Sequence, residues 1–213
     1  MTVKLQWATP SIDKQIMFMA RVSNPEGQNS EKTRLLSYCM EEGHVSPFEM
    51  ASVCLEINTT RDIGRQIIRH RSFSFQEFSQ RYSDVSLLGE MVPREVRLQD
   101  EKNRQNSIET ESELHQREWS TDQKEVWKLA VRFYGYALQR GVAKEVARAL
   151  LPEGLTPSRL YMNGTMRSWV HYLKSRLDPS TQKEHRILAQ QALEILRGVA
   201  PITMSAFFPE ETA

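Results

Sequence analysis

Apolar residues recur along the first part of the chain at helical spacing. In residues 11–22, Ile12, Ile16, Met19 and Ala20 fall three or four positions apart or side by side, which predicts a helix. Lys32 to Glu42 repeats the pattern through Leu35, Leu36, Cys39 and Met40, with Gly43 placed to end it. The period then shortens. Val53, Leu55 and Ile57 alternate with Cys54, Glu56 and Asn58, which predicts a strand with two unlike faces. Thr59 or Thr60 can cap a following helix through Ile63, Ile67 and Ile68, on which Arg61, Arg65 and Arg69 recur every four residues. After Arg71 the period returns to two, with Phe73 and Phe75 on one side and Ser72 and Ser74 on the other. The stretch RHRSFSFQEFSQRY, Arg69 to Tyr82, therefore straddles a helix end and an extended segment.

The second part is more helical. Residues 99–124 are polar and poor in large apolar side chains, and read as a surface excursion or exposed helix. A long helix follows from Thr121, expected to turn Val126, Leu129, Ala130, Phe133 and Ala137 inward and to stop at Gly141. VAKEVARALL predicts a helix ending at Pro152, PEGLTPSR a turn, and MRSWVHYLKSR another helix. Asp178 and Pro179 suit the cap and first position of a last helix, packing through Ile187, Leu188, Ala192, Ile195 and Leu196 as far as Gly198. The sum is an α+β, helix-rich single domain over residues 1–213, with a small, mainly antiparallel sheet flanked by helices.

Composition narrows the partners. At 213 residues, with 39% hydrophobic and 26% charged side chains, the chain can bury a substantial core. A formal net charge of +1 argues against a broad nucleic-acid-binding face but permits a local basic pocket. Cys39 and Cys54 have no metal-ligand spacing, so no metal site is expected and both read as buried, reduced thiols. No apolar run approaches the roughly 20 residues of a membrane span, and MTVKLQWATP lacks a secretory h-region. The expectation is a cytoplasmic protein without a membrane partner.

The chemistry concentrates in RHRSFSFQEFSQRY. Basic residues at a helix C-terminus are also plain partners of its dipole. Here, however, Glu77, Ser79 and Arg81 alternate, so in an extended segment all three point one way. Arginine matches phosphate with a bidentate fork, a serine hydroxyl adds a hydrogen bond, and a carboxylate can hold the arginines or accept from a sugar or ring N–H. The cluster suits a nucleotide. The competing reading is a nucleic-acid binder using the Arg61, Arg65 and Arg69 stripe.

Arg69-His70-Arg71, then seven residues and Ser79, resembles the signature of the flavin-dependent thymidylate synthases. HVSPFE (His44 to Glu49), GRQIIRHR, EVARALLP (Glu145 to Pro152) and MRSWVHYLKSRLD (Met166 to Asp178) resemble other segments of that family, in order. The resemblance spans most of the chain and leaves the polar stretch near 100–120 unmatched. It implies methylation of dUMP to dTMP, with methylenetetrahydrofolate as carbon donor, FAD as hydride carrier and NADPH as reductant. It also implies a homotetramer with active sites shared between subunits. On the flavin side it implies Ser46, Arg69, His70, Arg71, Glu77, Thr165, Arg167 and His171. On the dUMP side it implies Gln66, Arg69, Glu77, Ser79, Arg81, Arg148 and Arg176, with Arg176 activating the uracil ring in place of a thiol nucleophile. Met50, Gln76, Thr165 and His171 depart from the family's common residues and bear on the flavin contacts. A member that binds flavin without turnover is the third reading. Phe73, Phe75, Tyr82, Trp169 and Tyr172 suit either a water-excluding wall or core, with core favoured for Phe75 and Trp169.

Overall fold

The computed structural model describes residues 1–209. Four strands form one antiparallel sheet: β1 (Thr2–Ala8), β2 (Ser52–Thr60), β3 (Ser74–Glu77) and β6 (Pro157–Thr165), in the order β1-β2-β6-β3. Strands β4 (Arg97–Gln99) and β5 (Ser107–Glu109) pair as a separate hairpin. The helices are α1 (Ile12–Ala20), α2 (Arg34–Glu41), α3 (Arg61–Ile67), α4 (Glu113–Gln139), α5 (Lys144–Ala147), α6 (Met166–Arg176), α7 (Lys183–Val199) and α8 (Pro201–Phe207). This is the helix-rich α+β architecture with a small antiparallel sheet that the sequence predicts.

Register explains the core. Strand β2 runs against β6 without a break, from Ser52 opposite Thr165 to Thr60 opposite Pro157. Val53, Leu55 and Ile57 therefore sit across from Gly164, Met162 and Leu160 and share one face, since side chains of paired residues lie on the same side. The helices close over that face with Ile12, Ile16, Leu36, Phe48, Trp169, Leu173, Leu188 and Leu196, all essentially without solvent contact. Each such side chain contributes about 1.5–3 kcal/mol by burial. The indole N–H of Trp169 donates to the Val53 carbonyl (3.0 Å), which satisfies the polar atom of the largest core side chain and pins α6 to β2. Gly43 and Gly141 follow α2 and α4 with φ of 68° and 79°, the left-handed geometry that ends a helix most easily at glycine.

Several expectations change. Strands β1 and β6 lie where the sequence showed no strand, and β6 is central. Helix α4 begins at Glu113, not Thr121, with the Ser112 hydroxyl accepting from His115 N–H (3.3 Å). Its polar first turns are built from good helix formers, which need no apolar face. Its inward side is also different. Gln123, Trp127 and Tyr134 are buried, while Val126, Leu129 and Phe133 are 51%, 48% and 47% exposed. Helix α7 starts at Lys183, not at Pro179, because Asp178 instead accepts from Ser180 N–H (2.8 Å) and closes a separate turn. Helix α3 ends at Ile67, so Arg69, His70 and Arg71 lie in the turn beyond it. The extended segment stops at Glu77, and the chain turns at Gln80–Tyr82, with Tyr82 N–H donating to Ser79 O (3.1 Å). Glu77, Ser79 and Arg81 do not share one strand face.

Candidate active site

The turn after α3 is held from two sides. Phe73 is buried against Trp169, ring edge to face at 4.9 Å, and the Ser168 hydroxyl donates to the Ser72 carbonyl (3.1 Å). Arg69 and Arg71 project into solvent on either side of half-buried His70 and form no ion pair among the described residues.

His70 meets the end of α6. Arg176 Nε donates to His70 Nε2 (2.8 Å), so that nitrogen carries a lone pair. Burial first, then the Arg176 charge and then His171, push the His70 imidazole down to about 4. It is neutral near pH 7. Arg176 thus spends one N–H on a neutral partner and keeps its whole charge uncompensated, half-buried and with its terminal nitrogens free of partners among the described residues. Behind it, Tyr172 packs edge-on to His70 (4.9 Å) and its hydroxyl lies 3.1 Å from His185 Nε2. His185 Nδ1 lies 3.3 Å from Gln66 Oε1, and Gln66 Nε2 donates to Gln182 Oε1 (2.7 Å).

A second group surrounds Glu77. Its Oε1 accepts from Arg61 Nη1 (3.1 Å) and the Ser158 hydroxyl (2.8 Å). Beside it a cavity of about 380 Å³ is lined by Arg61, Arg65, Gln80, Glu145, Arg148, Glu153 and neighbours. Arg81 Nε donates to Glu145 (3.1 Å) at the rim, and Arg65 pairs with Glu153 (2.5 Å). Among the described residues the Arg148 side chain bonds only the Glu145 carbonyl (3.2 Å) through Nε, which leaves its guanidinium charge for an anion. Ser79 lies half-buried just ahead of this cavity's Gln80.

The third group joins the SPFE turn (Ser46–Glu49) to the start of α6, where Arg167 pairs with Glu49. Thr165 caps α6, its hydroxyl accepting from Ser168 N–H (3.3 Å), while Ser46 and His171 are exposed. Trp169 and Tyr172 are fully buried core, Phe73 is buried, Phe75 is half-buried against the core and Tyr82 is 76% exposed, so of the five aromatics only Tyr82 is free to wall off a site.

The structure brings Gln66, His70 and Arg176 together, and separately Glu77, Arg81 and Arg148. It leaves Ser46, Arg69, Arg71 and His171 on open surface of the single chain. The arginine stripe is not a free cationic face, because Arg61 and Arg65 are spoken for by Glu77 and Glu153. Sequence reasoning missed His185 and Gln182. The available signal was a histidine on the stripe of α7 that also carries Leu188, Ala189 and Ala192, where a polar ring needs partners.

The exposed arginines suit a flavin dinucleotide in donor chemistry. Two uncommitted guanidinium groups flanking a neutral imidazole can meet a diphosphate and leave the ring to an uncharged heterocycle. Among the described residues no cluster of three or more metal-ligating side chains occurs, and no helix is long and apolar enough to cross a membrane.

Residues 4–202 match the family model described as thymidylate synthase complementing protein. The chain is 48% identical over 191 residues to the flavin-dependent thymidylate synthase of Synechocystis sp., covering 90% of this chain and 87% of the relative. It is 46% identical over 185 residues to a probable flavin-dependent thymidylate synthase of Paramecium bursaria Chlorella virus 1, covering 86% and 84%. Among solved structures it is similar to the UMP/dUMP methylase PolB from Streptomyces cacaoi bound with 5-Br dUMP, at TM-score 0.85 and 28% identity, covering 97% of this chain and 93% of that one.

Proposed function

The chain belongs to the flavin-dependent thymidylate synthases, and on that premise we propose that it methylates dUMP to dTMP with Arg176 as the group that activates the uracil ring. Methylenetetrahydrofolate is the carbon donor and NADPH the reductant in this reading. Bound FAD supplies the hydride chemistry. Ser46, Arg69, His70, Arg71, Glu77, Thr165, Arg167 and His171 hold it. Gln66, Arg69, Glu77, Ser79, Arg81, Arg148 and Arg176 hold dUMP, with Arg148 and Arg81 suited to its phosphate and Ser79 a hydrogen-bond donor.

The observation that carries the proposal is the Arg176–His70 contact. A carboxylate partner would neutralise the guanidinium. A neutral imidazole orients it and leaves the charge intact. Such a charge in a partly desolvated site favours an electron-rich pyrimidine, with N3 deprotonated or O4 bearing negative charge, and so raises the reactivity of C5. Burial pushes the Cys39 and Cys54 thiols up, so both stay protonated and neither serves as a thiolate nucleophile. Arginine activation then stands in for nucleophilic catalysis. Reduced buried thiols also suit the cytoplasm.

Assembly as a homotetramer with shared active sites accounts for two further features. The site residues fall into three groups on one chain, several of them on open surface, and α4 exposes an apolar stripe. The chain acts as one domain over 1–213. The test is anaerobic: holoenzyme with reduced flavin is mixed with dUMP and methylenetetrahydrofolate. Flavin oxidation that requires dUMP and yields dTMP is expected. Flavin that binds but never produces dTMP would make the chain a flavin binder without turnover, and steep salt-dependent RNA binding without flavin would favour the nucleic-acid reading.

A further inference from the structure

We propose that His185 is a positioning residue for the pyrimidine, fixing through one directional chain of hydrogen bonds the rotation of the Gln66 amide so that an N–H, and not the carbonyl, faces bound substrate. The inference rests on the reading of Gln66 as a dUMP residue.

The direction of the chain follows from its anchored end. Glu184 is buried and paired with Arg97 (2.8 Å) and Arg94 (3.4 Å). Burial works against its charge, but hydrogen bonds from its own backbone N–H, Arg97 and Gln182 outweigh that and hold the carboxyl below its usual range. A carboxylate only accepts, so the Gln182 amide must present its NH₂ to Glu184 (3.0 Å) and its oxygen to Gln66. Gln66 must then present NH₂ to Gln182 (2.7 Å) and its oxygen to His185. His185 Nδ1 must carry the proton, and Nε2 must accept from the Tyr172 hydroxyl (3.1 Å). The opposite polarity would leave the buried Tyr172 hydrogen without an acceptor among the described residues, a cost of about 1–3 kcal/mol. Burial first, then Arg176 and His70, push the His185 imidazole down to about 3, which keeps it a single neutral tautomer.

The consequence lies at Gln66. Its oxygen faces His185 and one N–H is given to Gln182, so among the described residues the second N–H is the amide's one uncommitted donor. A free glutamine offers either a donor or an acceptor by rotating its amide. This one offers a donor, which matches a pyrimidine carbonyl oxygen and mismatches a ring N–H or an exocyclic amine. His185 touches neither substrate nor flavin and acts through Gln66.

Calorimetric titration of oxidised holoenzyme with dUMP tests this, with flavin stoichiometry as the check on folding. Gln66→Ala is expected to weaken dUMP about fivefold, the size of one neutral hydrogen bond. His185→Leu is expected to weaken it similarly, and His185→Asn, which keeps an N–H near the Nδ1 position, to recover most of the loss. The deciding measurement is the double variant. If His185 acts through Gln66, adding His185→Leu to Gln66→Ala changes nothing further. A His185→Leu effect that persists in the Gln66→Ala background, or no effect in wild type while Gln66→Ala does weaken binding, overturns the proposal and leaves Gln66 as a substrate residue. Unchanged dUMP affinity in Gln66→Ala overturns the underlying site reading as well. Should His185→Leu not fold, Tyr172→Phe makes the same decision. Loss of the hydroxyl removes the donor to His185 Nε2 that holds the ring against Gln66, so a weakening that disappears in the Gln66→Ala background is expected, and one that survives there overturns the proposal.

Discussion

At Arg176 the sequence places a guanidinium at the last position of α6, where capping the helix end would be reason enough for a basic residue. The structure shows a more specific arrangement, since its Nε is aligned by the lone pair of His70. Replacing Arg176 by Ala removes the charge from a half-buried position outside the main core, so the fold and bound flavin should be retained. Turnover to dTMP should fall about a hundredfold or more, the usual cost of one preorganised electrostatic group. Quantifying dTMP against flavin content in the same preparation checks this, and near-normal turnover would take Arg176 out of the mechanism. Arg176, His70 and Gln66 were legible as candidates because they occur in register with a long motif. The partnership with His185 was not, because it joins residues 119 positions apart. Nothing in local pattern reports which buried histidine meets which glutamine.

Among the elements, β6 decides where the RHR turn sits. Gly164 is the reason. A Cβ added there would lie 2.4 Å from Phe73 Cδ1, so the bare backbone of β6 is the seat for the Phe73 ring. Phe73 N–H donates to the His70 carbonyl (3.3 Å), which ties the seat to the turn. Gly164→Ala should therefore displace the ring, with a cost of about 1–3 kcal/mol for overpacking and on the order of 2–4 °C in Tm per kcal/mol at this chain length. Flavin stoichiometry should fall with it. Pairing the change with Phe73→Leu, which vacates the clash, should restore part of the Tm, as thermal unfolding can show. The helices α2, α3 and α6 were readable from period and caps, since those signals are local. Strand β6 was hidden although Leu160 and Met162 alternate with Arg159, Tyr161 and Asn163. The run is flanked by Pro157 and broken by Gly164, and such residues normally argue turn. Its pairing with β2 over nine residues overrides them.

On the scale of the whole molecule, α4 has apolar residues on more than one side. Within the chain it uses Tyr134, packed with Val85, Ala147 and Leu151, and buried Trp127, whose indole N–H donates to Glu90 (3.2 Å). The stripe expected to face inward, Val126, Leu129 and Phe133, is left to solvent, and Tyr136 at 45% exposure continues it at helical spacing. Periodicity predicts that a stripe is buried but not whether its cover is the same chain or another copy. A contiguous exposed apolar stripe is a marker of association, and in this reading the cover is the same surface on other subunits. The double substitution Leu129→Glu with Phe133→Glu tests it without touching the core, since both side chains are about half exposed in the single chain. Light scattering should show a shift from tetramer to smaller species. The unfolding transition of the remaining chain should stay cooperative. Because Arg69, Arg71 and His171 have no side-chain partners among the described residues of one chain, dTMP formation should fall at least tenfold along with the loss of assembly. A double variant that remains tetrameric and active would place the subunit contact elsewhere and leave the α4 stripe unexplained by assembly.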